Sequence, residues 1–337
     1  MGNNTIIDSD MMIKTGFMLS EEENSTLLNI YFWGDGILGS LLSISGLVMN
    51  FLAIYILMTR EELKHMTTDL LCYLLWIENV FLFTRLINLC FFDFGFQYLA
   101  VIIPHGVYPL ENMALTMAVF LMVCLAHQGY LITMNMRKYE SMLSFRKTCQ
   151  KMTVRYMLPV VLCGLLINIP RFFCYRIVNN ENSYQVVRTE VRKNFHFVVL
   201  YDNFVCNVLT MFAPITLLLF FNWNIYLFLD EKGKEIEDWD MDSSIYKKNK
   251  THIDILFIII ALFVICHFPR CFLKFYEVFY EPFWIKVLGT IERLLLIIHF
   301  SANSFIYMIK NDTFCKHIFL ILKKLFCLLT FQNRTDV

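Results

Sequence analysis

The chain has 337 residues, 57% apolar and only 17% charged, with a mean hydropathy of +0.54. A soluble domain would carry about 25% charged residues, so these values exclude an ordinary soluble protein and point to the lipid bilayer. The formal net charge of zero gives no basic surface for nucleic acid, and no nucleic-acid partner is expected.

In chain order, the first segment is polar and acidic through Asn29, with Glu21, Glu22 and Glu23 in a row and N-glycosylation sequons at Asn3 and Asn24. Residues 1–35 read as an extracellular tail. No basic stretch precedes an apolar core there, so a cleaved signal peptide is not expected. Seven apolar runs follow, over 37–58, 68–91, 107–134, 156–174, 205–229, 253–276 and 285–309. Each has about 19 to 28 residues, the length that spans a bilayer as a helix with some tilt. The fold class is therefore an all-α membrane protein, a seven-transmembrane helix bundle over residues 36–310. No internal repeat supports an inverted-repeat transporter.

Lys and Arg set the orientation. The connections after runs one, three and five and the final segment carry eighteen of them, against six in the other connections and the first segment. This predicts an extracellular N-terminus and a cytoplasmic C-terminus. Residues 311–337 form the cytoplasmic end, and within them 313–329 is apolar with Lys316, Lys323 and Lys324, a pattern suited to a short amphipathic helix lying in the inner interface. Cys315 and Cys327 there are palmitoylation candidates or unmodified thiols, and both readings stay open.

Several polar residues interrupt the runs. Gly46 and Asn50 lie one turn apart on the first, where a small residue permits close helix approach and an amide bonds across. Glu78 lies mid-run in the second; an ionisable group at that depth suggests a switch or ion site, or else a neutral hydrogen-bonded group. Arg85, two turns on, lies near the outer end, with its guanidinium expected toward water. Prolines Pro214 and Pro269 in runs five and six are hinge elements or static kinks. Run six reads Cys266-His267-Phe268-Pro269-Arg270, and run seven carries Glu292, His299, Ser301, Asn303, Ser304 and Tyr307. No run shows metal-ligand spacing, a G-x-S-x-G elbow or a mid-span Lys in run seven for a retinal Schiff base. Neither an enzyme nor a bound cofactor is expected.

Taken in order, Gly46-x-x-x-Asn50, Leu74-Leu75-Trp76-Ile77-Glu78, Val107-Tyr108-Pro109-Leu110, Asn168-Ile169-Pro170-Arg171-Phe172-Phe173, Pro214, Cys266 to Arg270, and Asn303-Ser304-Phe305-Ile306-Tyr307 resemble the rhodopsin-like (class A) G-protein-coupled receptors. More narrowly they are similar to invertebrate FMRFamide and related neuropeptide receptors. The resemblance implies an extracellular peptide ligand, a heterotrimeric G protein as partner, and a switch or ion site at Asn50, Glu78, Asn303 and Tyr307. The inner end of the third run departs from the family. Where it has Asp/Glu-Arg-Tyr, this chain has Gln128-Gly129-Tyr130, losing the carboxylate and the arginine at the G-protein-facing position. The family's outer disulfide also lacks both cysteines, since its third-span position falls near Pro104 and residues 176–196 contain no Cys; Cys90 and Cys174 are the alternative pair, bridged or free.

Glu111 lies eighteen residues before Gly129, about 27 Å along a helix, which puts it one turn inside the outer surface, at a depth where the family contacts ligands. A carboxylate in a semi-enclosed outer cavity attracts a cationic group, and an Arg-Phe-amide peptide end suits it. Glu111, Glu292, His267 and Arg270 are the ligand-binding candidates; Glu277 and Glu281 are further candidates, or else solvated caps or partners of Arg171 and Arg270. The expected function is a neuropeptide receptor at the plasma membrane, transmitting by ligand-biased helix rearrangement. The alternatives are a divergent receptor that binds ligand without normal coupling, and a seven-span channel or transporter.

Overall fold

The computed structural model describes residues 20–63, 67–92, 99, 101–134, 142–180, 183–237, 243–279 and 282–335. The long helices are α1 (Glu21–Thr59), α2 (Thr68–Phe92), α3 (Ile103–Met134), α4 (Met142–Asn168), α5 (Phe197–Phe228), α6 (Ser243–Phe279), α7 (Phe283–Lys310) and α8 (Asp312–Thr335). Helices α1 to α6 each contain a stretch long and apolar enough to cross a membrane. Helix α7 is as long, yet its Glu292, Arg293, His299 and Asn303 make it more polar than the others, and it packs between α6, α1 and α2. The protein is an all-α membrane bundle.

Helix α1 begins well before the apolar run, at Glu21. Ser20 and Glu23 form a capping box: the Glu23 amide donates to Ser20 Oγ at 3.1 Å and the Ser20 amide to Glu23 Oε2 at 2.9 Å. Three glutamates in the first turn favour the positive helix end. What reads in sequence as tail is therefore helical from Glu21, and Leu27 is already buried. Between Tyr31 and Gly39 the helix widens to a π-type turn that buries Asp35.

Helix α3 occupies the middle. Its most apolar window is 67% buried, against 17% for α4, so α4 is peripheral. Two glycines allow close approaches. A Cβ on Gly46 would fall 2.2 Å from Ser301 Oγ of α7, and one on Gly164 would fall 2.6 Å from Met117 Cγ of α3. The apolar core runs through Leu74, Leu75 and Phe81 of α2, Met122 and Leu125 of α3, Phe263 of α6 and Phe300 of α7, with the Phe81 and Phe300 rings 4.2 Å apart. Pro159 and Pro269 lie inside α4 and α6.

One element went unread in the sequence. After α4 the chain forms an antiparallel hairpin, β1 (Tyr175–Asn180) with β2 (Ser183–Arg188), pairing Tyr175 with Arg188 and Asn180 with Ser183. Helix α8 follows α7 after a turn at Asn311, whose Oδ1 accepts from the Phe314 amide at 3.0 Å. Its Phe314 and Ile318 are buried while Phe319 and Leu320 are exposed, so its inner face packs on α7 and α1 and its other apolar residues are left to lipid.

Candidate functional site

Polar side chains gather at three depths along the bundle. At the end of the bundle where α2 finishes and α3 begins, Asp35 in the widened turn of α1 is 4% exposed. Arg293 of α7 donates to Asp35 Oδ2 through Nε at 2.7 Å and approaches it through Nη2 at 2.5 Å. Arg85 of α2 lies 3.7 Å from Asp35 Oδ1 and 3.6 Å from Glu111 Oε1 of α3. Asn88 donates its amide to Glu111 Oε2, and Arg270 of α6 pairs with Glu292 of α7 at 3.4 Å. Three carboxylates thus meet three guanidiniums. Burying each singly would cost several kcal/mol, and mutual pairing is what makes their burial tolerable.

Beside this set lies a second charged cluster at the hairpin base. Asp202 of α5 pairs with Arg171 at 2.9 Å and with Arg192. Arg171 also donates to the Tyr108 hydroxyl at 3.2 Å, and the Tyr108 ring packs edge-on against Tyr175 at 4.8 Å. Burial lowers the pKa of Arg192, but the Asp202 carboxylate, by charge and hydrogen bond, together with Tyr108 and Tyr175 raises it overall, so the guanidinium stays charged. Thr189 fastens β2 to the end of α4, its hydroxyl donating to Phe173 O at 2.5 Å and its amide to Cys174 O at 3.0 Å. Ion pairs and backbone bonds hold the hairpin here. Cys90 and Cys174 are both free thiols, and Cys174 donates weakly to Pro170 O at 3.5 Å.

At mid-depth, Glu78 and Asn50 are fully buried. Asn303 donates its amide to Glu78 Oε1. Ser304 donates to Asn50 Oδ1 at 2.5 Å, and Asn50 donates through Nδ2 to Phe300 O at 3.1 Å. Two sets of polar contacts therefore tie α7 to its neighbours, one to α1 and one to α2. Nearby, His267 and His299 face each other at 3.4 Å, with Phe263 stacked on His267 at 4.2 Å between ring centres.

At the C-terminal end of α3, Gln128 and Gly129 are buried. A Cβ on Gly129 would fall 2.6 Å from Leu256 Cδ2 of α6. Tyr130 and His127 pack on Phe221 of α5 at 5.7 and 5.2 Å, and His127 Nδ1 lies 2.7 Å from the Tyr156 hydroxyl.

With this geometry in place, comparison with known proteins adds direction. No family model matches the chain. Over 309 residues, 87% of the chain, it is 22% identical to a Drosophila melanogaster protein named FMRFamide receptor. Over 330 residues, 90% of the chain, it is 21% identical to a Caenorhabditis elegans protein named probable G-protein coupled receptor frpr-1. It spans about half of the first relative, 54%, and 81% of the second.

The structure brings the expected residues together in groups. Glu111 lies at the Asp35 end of the bundle, among Arg85 and Asn88. Glu292 and Arg270 pair with each other, and His267 sits one turn deeper on α6, against His299. Asn50, Glu78 and Asn303 make the mid-depth contacts, and Tyr307 is buried further in, 6.1 Å from the Phe314 ring. Asn24 sits in the first turn of α1, half-buried; Asn3, Glu281 and the side chains of Glu277 and Cys327 lie outside the described residues.

One expectation is corrected. Arg85 turns inward to Asp35 and Glu111 with 14% of its side chain exposed, because two buried carboxylates attract it more than water at the helix end does. Arg171 pairs with Asp202 and Arg270 with Glu292, while the roles expected of Glu277 and Glu281 lie outside the described residues. Asp35, Arg293, Arg192 and Asp202 were not singled out at all. Asp35 had a legible signal, being ionisable within an apolar stretch that starts at Tyr31, but counting it with the polar tail hid it.

Proposed function

We propose that the chain is a rhodopsin-like G-protein-coupled receptor for a neuropeptide, in particular an amidated peptide with a cationic end. The observation that carries this reading is the likeness to two receptors over nearly the whole bundle, in a chain whose outer charges and mid-depth polar contacts join the same helices. Glu111 is the proposed anchor for a ligand guanidinium: its present partner Arg85 is a guanidinium at 3.6 Å, which an incoming one would replace. Glu292, Arg270 and His267 form the α6 and α7 side of the pocket. Asn50, Glu78, Asn303 and Tyr307 act as the switch whose rearrangement carries the signal inward.

In this reading residues 1–35 face the outside, with glycans on Asn3 and Asn24, residues 36–310 span the plasma membrane, and 311–337 lie in the cytoplasm. Gln128, Gly129 and Tyr130 face a heterotrimeric G protein. The protein signals and performs no catalysis of its own. A library of amidated peptides applied to cells expressing the chain at the surface is expected to evoke calcium or cyclic-nucleotide responses that Glu111→Gln lowers at least tenfold in potency. Silence across the library, with surface expression confirmed, refutes the reading.

Gly129 favours a second reading, a receptor that binds its ligand without ordinary coupling. The site is filled by Leu256 of α6 and offers the G protein no arginine. Binding of a labelled peptide without any second-messenger response distinguishes the two.

A further inference from the structure

Between the inner halves of α5 and α6, on the side facing away from the core, lies a cavity of about 590 Å³ lined by Leu219, Phe220, Asn222, Trp223, Tyr226 and Phe257. Leu219, Asn222, Trp223 and Tyr226 are spaced three, four and seven residues apart, so they share one face of α5. That face looks outward: Trp223 is 63% and Phe220 57% exposed. In a bundle whose α5 is apolar enough to span a membrane, an outward face at this level meets lipid.

The chemistry of the lining narrows the occupant. Asn222 is only 9% exposed and makes no hydrogen bond to the described residues, whereas Asn224, on another face of the same helix, donates to Phe220 O at 2.7 Å. Asn222 lies eight residues from Asp230, about 12 Å along the helix, too deep for water to satisfy it. A plain acyl chain would cover the aromatic walls and leave the amide unpaired in hydrocarbon, which is costly. A charged headgroup would find no counter-charge, since no lining residue is ionised at neutral pH. Both terms are satisfied by a neutral molecule with an apolar body and one hydroxyl. Among such lipids, a fused-ring body gives up less conformational freedom on seating than a flexible chain, and flat faces suit Phe220, Trp223 and Phe257.

We propose that this cavity is a binding site for a membrane sterol, its hydroxyl paired with the Asn222 amide and its rings against Phe220, Trp223 and Phe257. The proposal rests on the membrane fold and not on the receptor reading. It has a consequence for the inner end of α3. Phe221, adjacent to Asn222, packs on Tyr130 and His127, and Leu256, adjacent to Phe257, fills the space at Gly129. A sterol wedged across α5 and α6 therefore braces the segments that close around Gln128, Gly129 and Tyr130.

The test uses the purified full chain in phosphatidylcholine nanodiscs with a photoreactive, clickable cholesterol, and peptide mapping of the label. Label is expected to concentrate on residues 219–226 and at Phe257. Cholesterol should compete it away; cholestane, which lacks the hydroxyl, should compete about fivefold more weakly, which is the worth of one neutral hydrogen bond. Asn222→Leu should lower labelling by a similar factor, and Leu219→Trp, which crowds the cavity wall, should lower it as well. Should Asn222→Leu fail to fold, competition by the two sterols on the parent chain decides. Label spread evenly over the lipid-facing surface overturns the proposal. So does label at the site that cholestane competes as well as cholesterol, because the cavity would then hold hydrocarbon without recognising a hydroxyl.

Discussion

The outer charge network makes a quantitative prediction. Asp35 is 4% exposed and accepts two contacts from Arg293. Asp35→Asn keeps the side-chain volume and an acceptor oxygen and removes only the charge, leaving Arg293 and Arg85 one counter-ion short. Removing one partner of a buried pair costs about 3–5 kcal/mol. The Arg293 side chain retains 32% exposure, and screening there puts the expected loss near the lower end, about 3 kcal/mol. Arg293→Gln should cost about the same by stranding Asp35. The double variant leaves Arg85 and Arg270 against Glu111 and Glu292, a balanced set, so its loss should fall short of the sum of the singles by about 2 kcal/mol. Equilibrium unfolding in mixed detergent micelles, followed by tryptophan fluorescence, measures all four states. Losses that add within about 0.5 kcal/mol would refute the idea that these residues act as one buried pair.

Three other perturbations test the remaining depths. Glu78→Gln preserves an acceptor for Asn303 and should leave stability within about 1 kcal/mol, whereas Glu78→Leu strands the Asn303 amide and should cost about 1–3 kcal/mol in the same unfolding assay. Gly129→Arg alone should reduce surface expression, measured by flow cytometry, because its Cβ meets Leu256 at 2.6 Å; Leu256→Ala in the same chain should restore it. Cys174 is 1% exposed, so it should label with maleimide near pH 8 more slowly than an exposed cysteine, by mass spectrometry of the folded protein. Fast labelling would show that the hairpin base is open.

Much of the candidate site was legible because certain residues are chemically out of place. Glu78, Asn50 and Asn303 are polar groups in apolar runs, and their need for partners in a medium without water marked them before any fold was known. Gly46 was legible for a related reason: only a residue without a Cβ lets α1 approach Ser301. Arg85 failed the same logic. Its position near the outer end suggested water, and the nearest carboxylates come from helices 50 residues before and 26 residues after it, which no local pattern encodes. The hairpin escaped because its pairing lies in a polar loop without the alternation of a buried strand. The early start of α1 escaped because a capped acidic turn looks like tail until the apolar run behind it is seen to continue the helix.

By itself the sequence determined that this is a helical membrane protein, where its apolar runs lie, and which polar residues inside them need partners. Those conclusions follow from length, hydropathy and the cost of unpaired groups in lipid, which are local properties of the chain. Only the tertiary structure decided which partners those groups find: Asp35 with Arg293 and Arg85, Asp202 with Arg171 and Arg192, Glu78 with Asn303. It also decided that Gly129 is closed over by Leu256 and that Asn222 faces a cavity. Pairings such as Glu78–Asn303 and Asp35–Arg293, 225 and 258 positions apart, depend on which helices pack together and at what depth, and a distance across the bundle leaves no trace in the spacing along one helix.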